Sequence, residues 1–390
     1  MRILILNYEY PPLGGGAAPV CRDLAEGIAR AGHQGTVVTM GFPGLAAYEE
    51  SGGVEVFRLK CLRTKAHACM PWEQFSYILA AKRFLKHHLP SRHYDICHTH
   101  FVIPTGLVAK WVKSRYGIPF VITAHGSDVE GYNEKTLLKI MHRLLRPAWR
   151  RIVSASCATV APSQFLLDLM NLELRGGPYL RIPNGLELSK YHADPIKKEK
   201  RVLLMGRLQK TKNLQTVFKA IARIPDEIWG DWTVDVLGDG PHRAELEKQC
   251  AELGMDARVS FHGWIENGSK EHFDFLGRAA IYVSASHFEN CPMAVLEAIA
   301  AGCRPLLSDI EGHRQFFRDV KESERYFFPE NDERILADKM TSLLRQTPSA
   351  AFGSLDLSAY DLQQIVMRYI SLLEKYAVQE HGPQGSGSEI

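Results

Sequence analysis

Short apolar segments alternate with stretches of helical periodicity, and this alternation runs through the 390-residue chain twice. In the first half it predicts helices at residues 20–31, 72–88, 106–116 and 135–152, between strands at 2–6, 35–40, 54–59, 95–98, 118–123 and 157–161. In the second half it predicts helices at 214–222, 243–253, 270–276, 294–301 and 313–317, between strands at 201–205, 232–238, 258–263, 280–286 and 304–309. These strands are apolar throughout, which indicates parallel sheets covered on both faces. The sequence therefore predicts an α/β protein with two doubly wound, Rossmann-like domains.

The two patterns are separated by a turn at Pro183-Asn184-Gly185 and a charged connection at residues 197–200. We place the first domain at residues 1–192 and the second at 193–358. One more helix is predicted at 359–378, and the polar, glycine-rich segment 381–390 is predicted to be disordered. Open parallel sheets bind ligands at the carboxyl ends of their strands, so the two domains are expected to face each other across a cleft.

Composition excludes several classes of protein. Eight scattered cysteines without a C-x-x-C pair argue against a disulfide framework and against a zinc site. The apolar run at residues 3–6 is too short for the core of a signal peptide, and no uninterrupted apolar stretch of about 18 residues occurs. We expect a soluble, cytoplasmic protein with reduced thiols.

The net charge of +3 is the sum of two unequal parts. Residues 1–195 carry 23 Lys and Arg against 15 Asp and Glu, a charge of +8, and the remaining residues carry 24 against 29, a charge of −5. This asymmetry suggests two domains with different duties, of which the basic one faces an anionic partner.

Two loops have the composition of phosphate-binding sites. Gly14-Gly15-Gly16 lies between the first strand and the first helix, where glycines let backbone N–H groups approach an anion; a flexible turn accounts for the same residues equally well. The loop does not fit G-x-G-x-x-G, and we reject an NAD site. Arg207 and Lys212 follow the first strand of the second domain, and a guanidinium with an ammonium there suits a diphosphate. Gly238 begins a second small-residue loop at the same sheet edge.

Two glutamates distinguish the segment 287–298. Glu289 precedes a helix that Pro292 can start, and Glu297 lies within that otherwise apolar helix. A carboxylate in such a helix requires a polar ligand or a buried partner. The two acids are predicted to bind two hydroxyl-bearing parts of one ligand, and ribose and hexose hydroxyls would fit.

Three histidines lie at the ends of predicted strands of the first domain or just after them. His125 stands on a glycine-bearing loop, and we favour a ligand contact over a structural role for it. His98 and His100 flank a single residue without a third ligand nearby, which is a weak case for a metal. We interpret them as structural or cleft-lining residues and predict no metal.

Together these residues resemble a retaining glycosyltransferase of the family 4 type, which has the GT-B fold, over essentially the whole chain to about residue 378. The resemblance implies transfer of a sugar from a nucleotide diphosphate-sugar with retention of configuration, without a metal or other cofactor, the donor being a co-substrate. It rests on the E-x7-E pair Glu289 and Glu297, on Arg207 and Lys212, on Gly14–Gly16, on His125-Gly126, on Ala161-Pro162-Ser163, on Pro183-Asn184-Gly185 and on Gly238 with its neighbours.

The resemblance also implies residue roles. Arg207 and Lys212 hold the diphosphate, Glu289 contacts the donor sugar, and Glu297 contacts the ribose. His125 contacts the donor sugar near the reacting centre, and it joins Arg207, Lys212 and Glu289 as a catalytic residue. The other implied donor-binding residues are Gly15, Gly16, Gly238, Asn290, Cys291, Pro292 and Met293. The helix at 359–378 crosses back to the first domain. Two positions depart from the common family pattern: Arg304 stands where proline is frequent, and Glu311-Gly312 stands where a glycine pair is common.

The acceptor implied by the resemblance is a sugar, a lipid-linked molecule or a small molecule, in polysaccharide, lipopolysaccharide or glycoconjugate biosynthesis. Lys139, Arg143, Arg146 and Arg150 recur at helical spacing among apolar residues, which permits peripheral contact with an anionic membrane on its inner face; a half-buried helix with a solvated face explains the pattern equally well. Aromatic stacking platforms are lacking, so nucleic acid is not predicted as a partner. Two alternatives stay open: a sugar-nucleotide 2-epimerase of the same fold, and a non-catalytic subunit that binds a sugar nucleotide.

Overall fold

The structure is a computed structural model that describes residues 1–66, 68–132, 136–191, 198–348 and 355–380, without the side chains of residues 136–138 and 378–380. It divides into two compact units. Unit 1 comprises Met1–Gly185 and the described residues from Ala359 onward, and unit 2 comprises the described residues of Leu186–Ser358. The boundary expected at 192/193 lies outside the described residues, and the units change earlier, after Gly185. The tail expected at 381–390 also lies outside them.

Unit 1 is built on an eight-stranded sheet with the strand order β3-β4-β2-β1-β5-β6-β7-β8. The sheet is parallel except for β3, which pairs antiparallel with β4. Its strands are β1 (Arg2–Leu6), β2 (Gln34–Met40), β3 (Tyr48–Ser51), β4 (Val54–Leu59), β5 (Ile96–His100), β6 (Phe120–Thr123), β7 (Ala158–Ala161) and β8 (Tyr179–Arg181). The edge strands β3 and β8 had no counterpart in the sequence prediction, and β5 continues to His100 beyond its predicted end at residue 98.

Helices cover both faces of this sheet, as the continuous apolar strands require. They are α1 (Ala17–Arg30), α2 (Pro71–His88), α3 (Thr105–Tyr116), α4 (Thr136–Val153) and α5 (Gln164–Glu173). The sequence predicted the first four to within a few residues, whereas α5 was missed although Ser163 caps its first turn by accepting from Leu166 N.

Unit 2 has a six-stranded parallel sheet with the order β11-β10-β9-β12-β13-β14. Its strands are β9 (Glu199–Met205), β10 (Thr233–Leu237), β11 (Val259–Gly263), β12 (Ala279–Ser284), β13 (Arg304–Ser308) and β14 (Phe327–Phe328). Its helices are α6 (Leu214–Ala222), α7 (Asp226–Trp229), α8 (Arg243–Glu252), α9 (Lys270–Arg278), α10 (Met293–Ala300), α11 (Glu311–Arg314) and α12 (Glu333–Leu344). The short elements α7 and β14 and the helix α12 were not predicted, and α11 begins before the predicted 313–317.

The last helix, α13 (Leu362–Glu380), packs in unit 1 against α1. Its residues Ile365, Val366 and Tyr369 join the core cluster on the α1 side of the sheet. The approach is closest at Gly27, where an added Cβ would lie 2.4 Å from a methyl group of Val366. A side chain at position 27 would therefore force the two helices apart.

No helix in the described part of the chain combines the length and the apolar character needed to cross a membrane.

Candidate active site

In unit 2, a lysine and a glutamate that are distant in sequence meet at the carboxyl edge of the sheet. Lys212 Nζ donates to Glu289 Oε1 at 2.5 Å, and the Ser286 hydroxyl donates to the same oxygen at 2.8 Å. The Glu289 side chain is 13% exposed and that of Lys212 27%. Burial acts to raise the pKa of the Glu289 carboxyl, but the Lys212 ammonium, His313 and the two hydrogen bonds outweigh it and hold the pKa below its ordinary value. Glu289 is therefore an anion at neutral pH.

The backbone of Glu289 rests directly on α11. A Cβ added to Gly312 would lie 2.2 Å from the Glu289 carbonyl oxygen, so only glycine permits this contact. The next residue, His313, is fully buried and donates from Nδ1 to the Ser308 carbonyl oxygen at 2.8 Å. Gly312, the one glycine at the position where the family commonly has a pair, thus has a structural reason: it lets α11 pack directly against the backbone of Glu289.

Glu297 lies on α10 and is only 3% exposed among apolar neighbours. Its Oε1 accepts from Asn267 Nδ2 at 3.0 Å, and its Oε2 lies 3.5 Å from His272 Nε2. The buried partner that the sequence required is therefore present, and it comes from the loop after β11 and from α9. A carboxylate has about four lone-pair positions, which leaves acceptor capacity on Glu297 for ligand hydroxyls.

The loop that carries Arg207 is locked to the loop after β10 through glycine backbones. Gly206 and Gly238 have φ values of +147° and +127°, and a Cβ on Gly238 would lie 2.0 Å from the Gly206 carbonyl oxygen. Leu208 N donates to the Asp239 carbonyl oxygen at 2.9 Å. The two small-residue loops that the sequence placed at one sheet edge are thus in direct backbone contact, and a side chain at Gly238 would separate them.

The segment between the two glutamates leads into the first turn of α10. Asn290, Cys291 and Pro292 are buried, Met293 is half-buried and begins the helix, and Gln315 Nε2 donates to the Asn290 carbonyl oxygen at 2.5 Å. This contact ties the segment to the chain just past α11, on which Glu289 also rests.

In unit 1 the glycine loop precedes α1. Gly14 has φ +106°, and Gly15 N donates to Glu9 Oε2 at 3.2 Å. Gly16 is exposed at the start of α1. The Glu9 carboxylate thus accepts a hydrogen bond from Gly15 N, one of the backbone amides that were predicted to bind an anion. This amide already points at a negatively charged group.

His125 follows β6 on a turn held by Asp128. The Asp128 carboxylate accepts from the backbone N–H groups of His125 and Gly126 at 3.1 and 3.0 Å, and from that of Val102 at 2.7 Å. Gly126 has φ +107°, and an added Cβ would lie 2.4 Å from the ring of Tyr132. The turn is consequently fixed at both ends, and it aims the His125 ring at His100, whose Nδ1 lies 3.0 Å from His125 Nε2.

His98 and His100 are buried and His125 is half-buried, and together they form a group that disfavours positive charge. Burial, and secondarily His98, lowers the pKa of His125 to about 3, and burial lowers that of His98 to about 3 as well. Among the described residues, no group of three or more His, Cys, Asp or Glu side chains is arranged to hold a metal ion.

Sequence reasoning missed several partners of these residues. Asp128, Ser286, Asn267 and His272 were not singled out, and His100 was assigned no contact with His125. The contact between His100 and His125 follows from the pairing of β5 with β6, because His100 lies opposite Thr123, two residues before His125. The contacts of Glu297 cross long sequence separations and had no local signal.

Comparison with known families accounts for most of the chain. A family model described as "Glycosyltransferase Family 4" matches residues 14–190, and one described as "Glycosyl transferases group 1" matches residues 190–351. The chain belongs to this family of glycosyltransferases. The match extends from the glycine loop of unit 1 past α12 of unit 2, so both sets of site residues in this glycosyltransferase lie within it.

Individual proteins are similar over most of their length. Alpha-monoglucosyldiacylglycerol synthase of Streptococcus pneumoniae is 26% identical over 320 residues, which cover 77% of this glycosyltransferase and 70% of that protein. The structure of sucrose-phosphate synthase from Thermosynechococcus elongatus superposes with a TM-score of 0.78 at 18% identity, covering 97% of this chain and 100% of the other. Anabaena HepE, in complex with UDP and glucose, superposes with a TM-score of 0.73 at 16% identity, covering 96% and 100%. The fold is GT-B.

Proposed function

We propose that this glycosyltransferase moves a sugar from a nucleotide diphosphate-sugar to an acceptor hydroxyl, with retention of the anomeric configuration and without a metal. The observation that carries the proposal is the contact between Lys212 and Glu289. A cation suited to phosphate and a carboxylate suited to sugar hydroxyls are adjacent on one sheet edge, where open parallel sheets bind ligands. A donor in which phosphate and sugar are directly joined matches that adjacency.

Each site residue has a role in this proposal. Arg207 and Lys212 bind the diphosphate, Glu289 the hydroxyls of the donor sugar, and Glu297 the ribose. His125 contacts the donor sugar near the reacting carbon. The remaining donor contacts are assigned to Gly15, Gly16, Gly238, Asn290, Cys291, Pro292 and Met293.

The chemistry requires stabilisation of the leaving group. The acceptor oxygen forms a bond to the anomeric carbon as the bond from that carbon to the diphosphate oxygen breaks, and the electron pair stays on the diphosphate. The acceptor proton passes to a phosphate oxygen on the same face, which preserves the configuration. Arg207 and Lys212 neutralise the negative charge that develops there, and preorganised charge of this kind is commonly the largest catalytic contribution.

The donor is tested by thermal unfolding with UDP-, GDP- and ADP-sugars, because only a bound nucleotide raises the melting temperature. Products formed from the stabilising donor are then analysed by NMR with and without candidate acceptors. We expect an acceptor-dependent product with the anomeric configuration of the donor, formed equally well in EDTA. An inverted product, or loss of activity in EDTA, would contradict the mechanism; an isomerised sugar nucleotide formed without acceptor would identify an epimerase instead.

We further propose that the acceptor is presented at an anionic lipid surface that contacts α4. Ile140 is 53% and Leu144 75% exposed, and the exposed cations Lys139 and Arg143 lie beside them on the same helix. Apolar side chains flanked by cations are typical of helices that lie in a membrane interface. Arg146 is not part of this surface, because it forms ion pairs with Glu130 and Glu173 at 2.7 and 3.0 Å. The named lipid product of the streptococcal relative supports the same class of acceptor.

Vesicle sedimentation tests this contact. The protein should pellet with phosphatidylglycerol-containing vesicles at low salt and less at high salt, and the Ile140→Ser/Leu144→Ser variant should stay in the supernatant. Leu172→Ser is the matched control, because Leu172 is 79% exposed on α5 and its removal should leave binding unchanged. Equal sedimentation of wild type and the α4 double variant would refute the proposed surface.

A further inference from the structure

Behind His125, buried polar side chains connect β5, β6 and α13 within unit 1. His98 and His100 are both buried and lie two residues apart, on one face of β5. His98 Nε2 lies 2.8 Å from Thr123 Oγ1, which lies 3.1 Å from the Tyr369 hydroxyl, and His100 Nδ1 lies 3.0 Å from His125 Nε2. From this arrangement we propose that His100 is a positioning residue that holds His125 as the neutral tautomer with its proton on Nδ1. The catalytic meaning of this inference rests on the proposed function, but the tautomer itself does not.

The contact between the two rings is a hydrogen bond made edge to edge. The ring planes differ by only 15°, and the ring centroids lie 5.2 Å apart. The centroid distance is longer than the 3.0 Å N···N distance, and the difference is close to the sum of the two ring radii. Both nitrogens must therefore lie near the line that joins the two ring centres. The lone pair of one nitrogen therefore points at the other, which is the geometry of an N–H···N bond and not of face-to-face stacking.

One of the two nitrogens must carry the shared proton, and the surroundings of His100 decide which. If His125 Nε2 donated, a neutral His100 would carry its own proton on Nε2. That atom is buried without a hydrogen-bond partner among the residues that the structure describes. A buried N–H without an acceptor is more costly than a buried lone pair without a donor, so the proton lies on His100 Nδ1.

A protonated, cationic His100 does not change this assignment. It would place the same N–H on Nε2 and add a buried charge, and burial, followed by the neighbours His98 and His125, lowers the pKa of His100 well below its ordinary value. His125 Nε2 is therefore an acceptor, and a neutral His125 must carry its proton on Nδ1.

The backbone at His100 is held where this bond requires it. Thr105 Oγ1 donates to the His100 carbonyl oxygen and, at 2.7 Å, to that of Phe101. Phe101 has φ +72°, a conformation uncommon for a residue with a side chain, and its ring lies against His125 with centroids 4.6 Å apart. His125 is thus fixed by a hydrogen bond on one edge and by an aromatic contact, and it can give a hydrogen bond from Nδ1 but cannot act as a base at Nε2.

Long-range ¹H–¹⁵N NMR of the full chain labelled with ¹⁵N-histidine tests the tautomer, with His125 assigned by its loss in His125→Gln. We expect an unprotonated Nε2 and a protonated Nδ1, unchanged from pH 6 to pH 8. In His100→Phe, which keeps the ring volume and removes the donor, His125 should show Nε2 protonation. In His100→Asn, whose amide can donate from nearly the position of Nδ1, the wild-type pattern should return. His98→Phe is the matched control on the same strand face and should leave His125 unchanged.

Activity gives the second readout. His100→Phe should lower kcat for transfer at least tenfold with little change in KM for the donor, and His100→Asn should recover most of the loss. A wild-type His125 protonated on Nε2, or an unchanged tautomer in His100→Phe, would overturn the inference, and so would wild-type kcat in His100→Phe. A chain that transfers no sugar would refute the proposed function, while the wild-type spectrum would still decide the tautomer.

Discussion

Lys212 Nζ and Glu289 Oε1, which belong to residues 77 positions apart, lie 2.5 Å from each other at the carboxyl edge of the unit 2 sheet. An ammonium group has three N–H donors, and this bond uses one of them. Lys212 can therefore bind a phosphate oxygen while Glu289 still holds its side chain in place. Under the proposed function, the glutamate acts on the donor in two ways, through its own hydrogen bonds to the sugar and by orienting the lysine.

Replacement of either partner should abolish most of the transfer activity. In the proposed roles, Lys212→Ala removes a cation from the leaving group, and Glu289→Ala removes both the sugar contact and the orientation of Lys212. Removal of one such preorganised group costs roughly 100- to 1,000-fold in kcat. Initial rates at saturating donor, with circular dichroism to verify the fold, measure the effect.

Lys210→Ala is the matched control for the lysine variant, because Lys210 is exposed on the same short helical turn, Lys210–Lys212. It should retain nearly full activity. If Lys210→Ala and Lys212→Ala lost activity equally, the loop as a whole, and not the Lys212 contact, would be the requirement.

Gly312→Ala should disturb the site without touching a charged group. The new methyl group would lie 2.2 Å from the Glu289 carbonyl oxygen, so the backbone that presents Glu289 must move. A displacement of about 1 Å at a reacting group can cost roughly 100-fold, and we expect a loss of that order in kcat. Gly277→Ala, on α9, is the control, since an added Cβ there meets no atom within 4 Å; equal rates in both variants would show that Gly312 does not support Glu289.

The buried histidines make unit 1 sensitive to acid. His98 has a pKa of about 3 in the folded chain against 6.5 for an unshifted histidine, so between these values the unfolded chain binds a proton that the folded chain does not. The stability from this group is fully present above pH 6.5 and is lost as the pH falls towards 3. His98→Phe should therefore reduce the pH slope of the free energy of unfolding by up to about 1.4 kcal/mol per pH unit in this range.

Urea titrations at a series of pH values measure that slope. Near pH 8 the histidine is neutral in both the folded and the unfolded chain, so the difference in the free energy of unfolding between wild type and His98→Phe there gives the pH-independent cost of the substitution. An identical slope in wild type and His98→Phe would mean that His98 takes up its proton without unfolding.

The α1–α13 contact should tolerate no added volume. Gly27→Ala overpacks the methyl group of Val366 and should destabilise the chain by about 1–3 kcal/mol, although alanine favours helices over glycine. Val366→Ala in the same chain should restore part of the loss by making room. Denaturant unfolding of the single and double variants checks this, and purely additive effects would show that the two residues do not compete for space.

The regular elements were predictable because the central strands are apolar throughout and the helices between them are periodic. Of the two strands in the β3–β4 hairpin, only β4 was predicted, because β3 (Tyr48–Ser51) has the sequence YEES and no apolar run. At β5 the polar residues Thr99 and His100 hid the continuation of a strand that is buried along its whole length. Polar residues can occupy a buried strand when tertiary partners satisfy them, and those partners are not visible locally.

At the site, the sequence predicted which residue types carry the chemistry but not how they are held. The partner of Glu297 was expected, whereas its identity depends on the loop after β11, which brings Asn267 to the carboxylate across 30 residues. Gly312 was noted only as part of Glu311-Gly312, and its close contact with the Glu289 backbone became visible only in the structure. His125 was singled out from its loop, but its neutral state follows mainly from burial, and its tautomer follows from His100, which was interpreted as a structural or cleft-lining residue.

The position of α13 also bears on how the chain comes to fold. Unit 1 obtains part of its core from Ile365, Tyr369 and Leu373, which follow all of unit 2 in the sequence. A ribosome therefore releases the whole of unit 2 before the helix that covers α1. During synthesis unit 2 can form its core first, whereas Leu24 and Ile28 of α1 cannot pack against α13 until the end of the chain has been made. The unit that begins first is in this sense the one that is finished last.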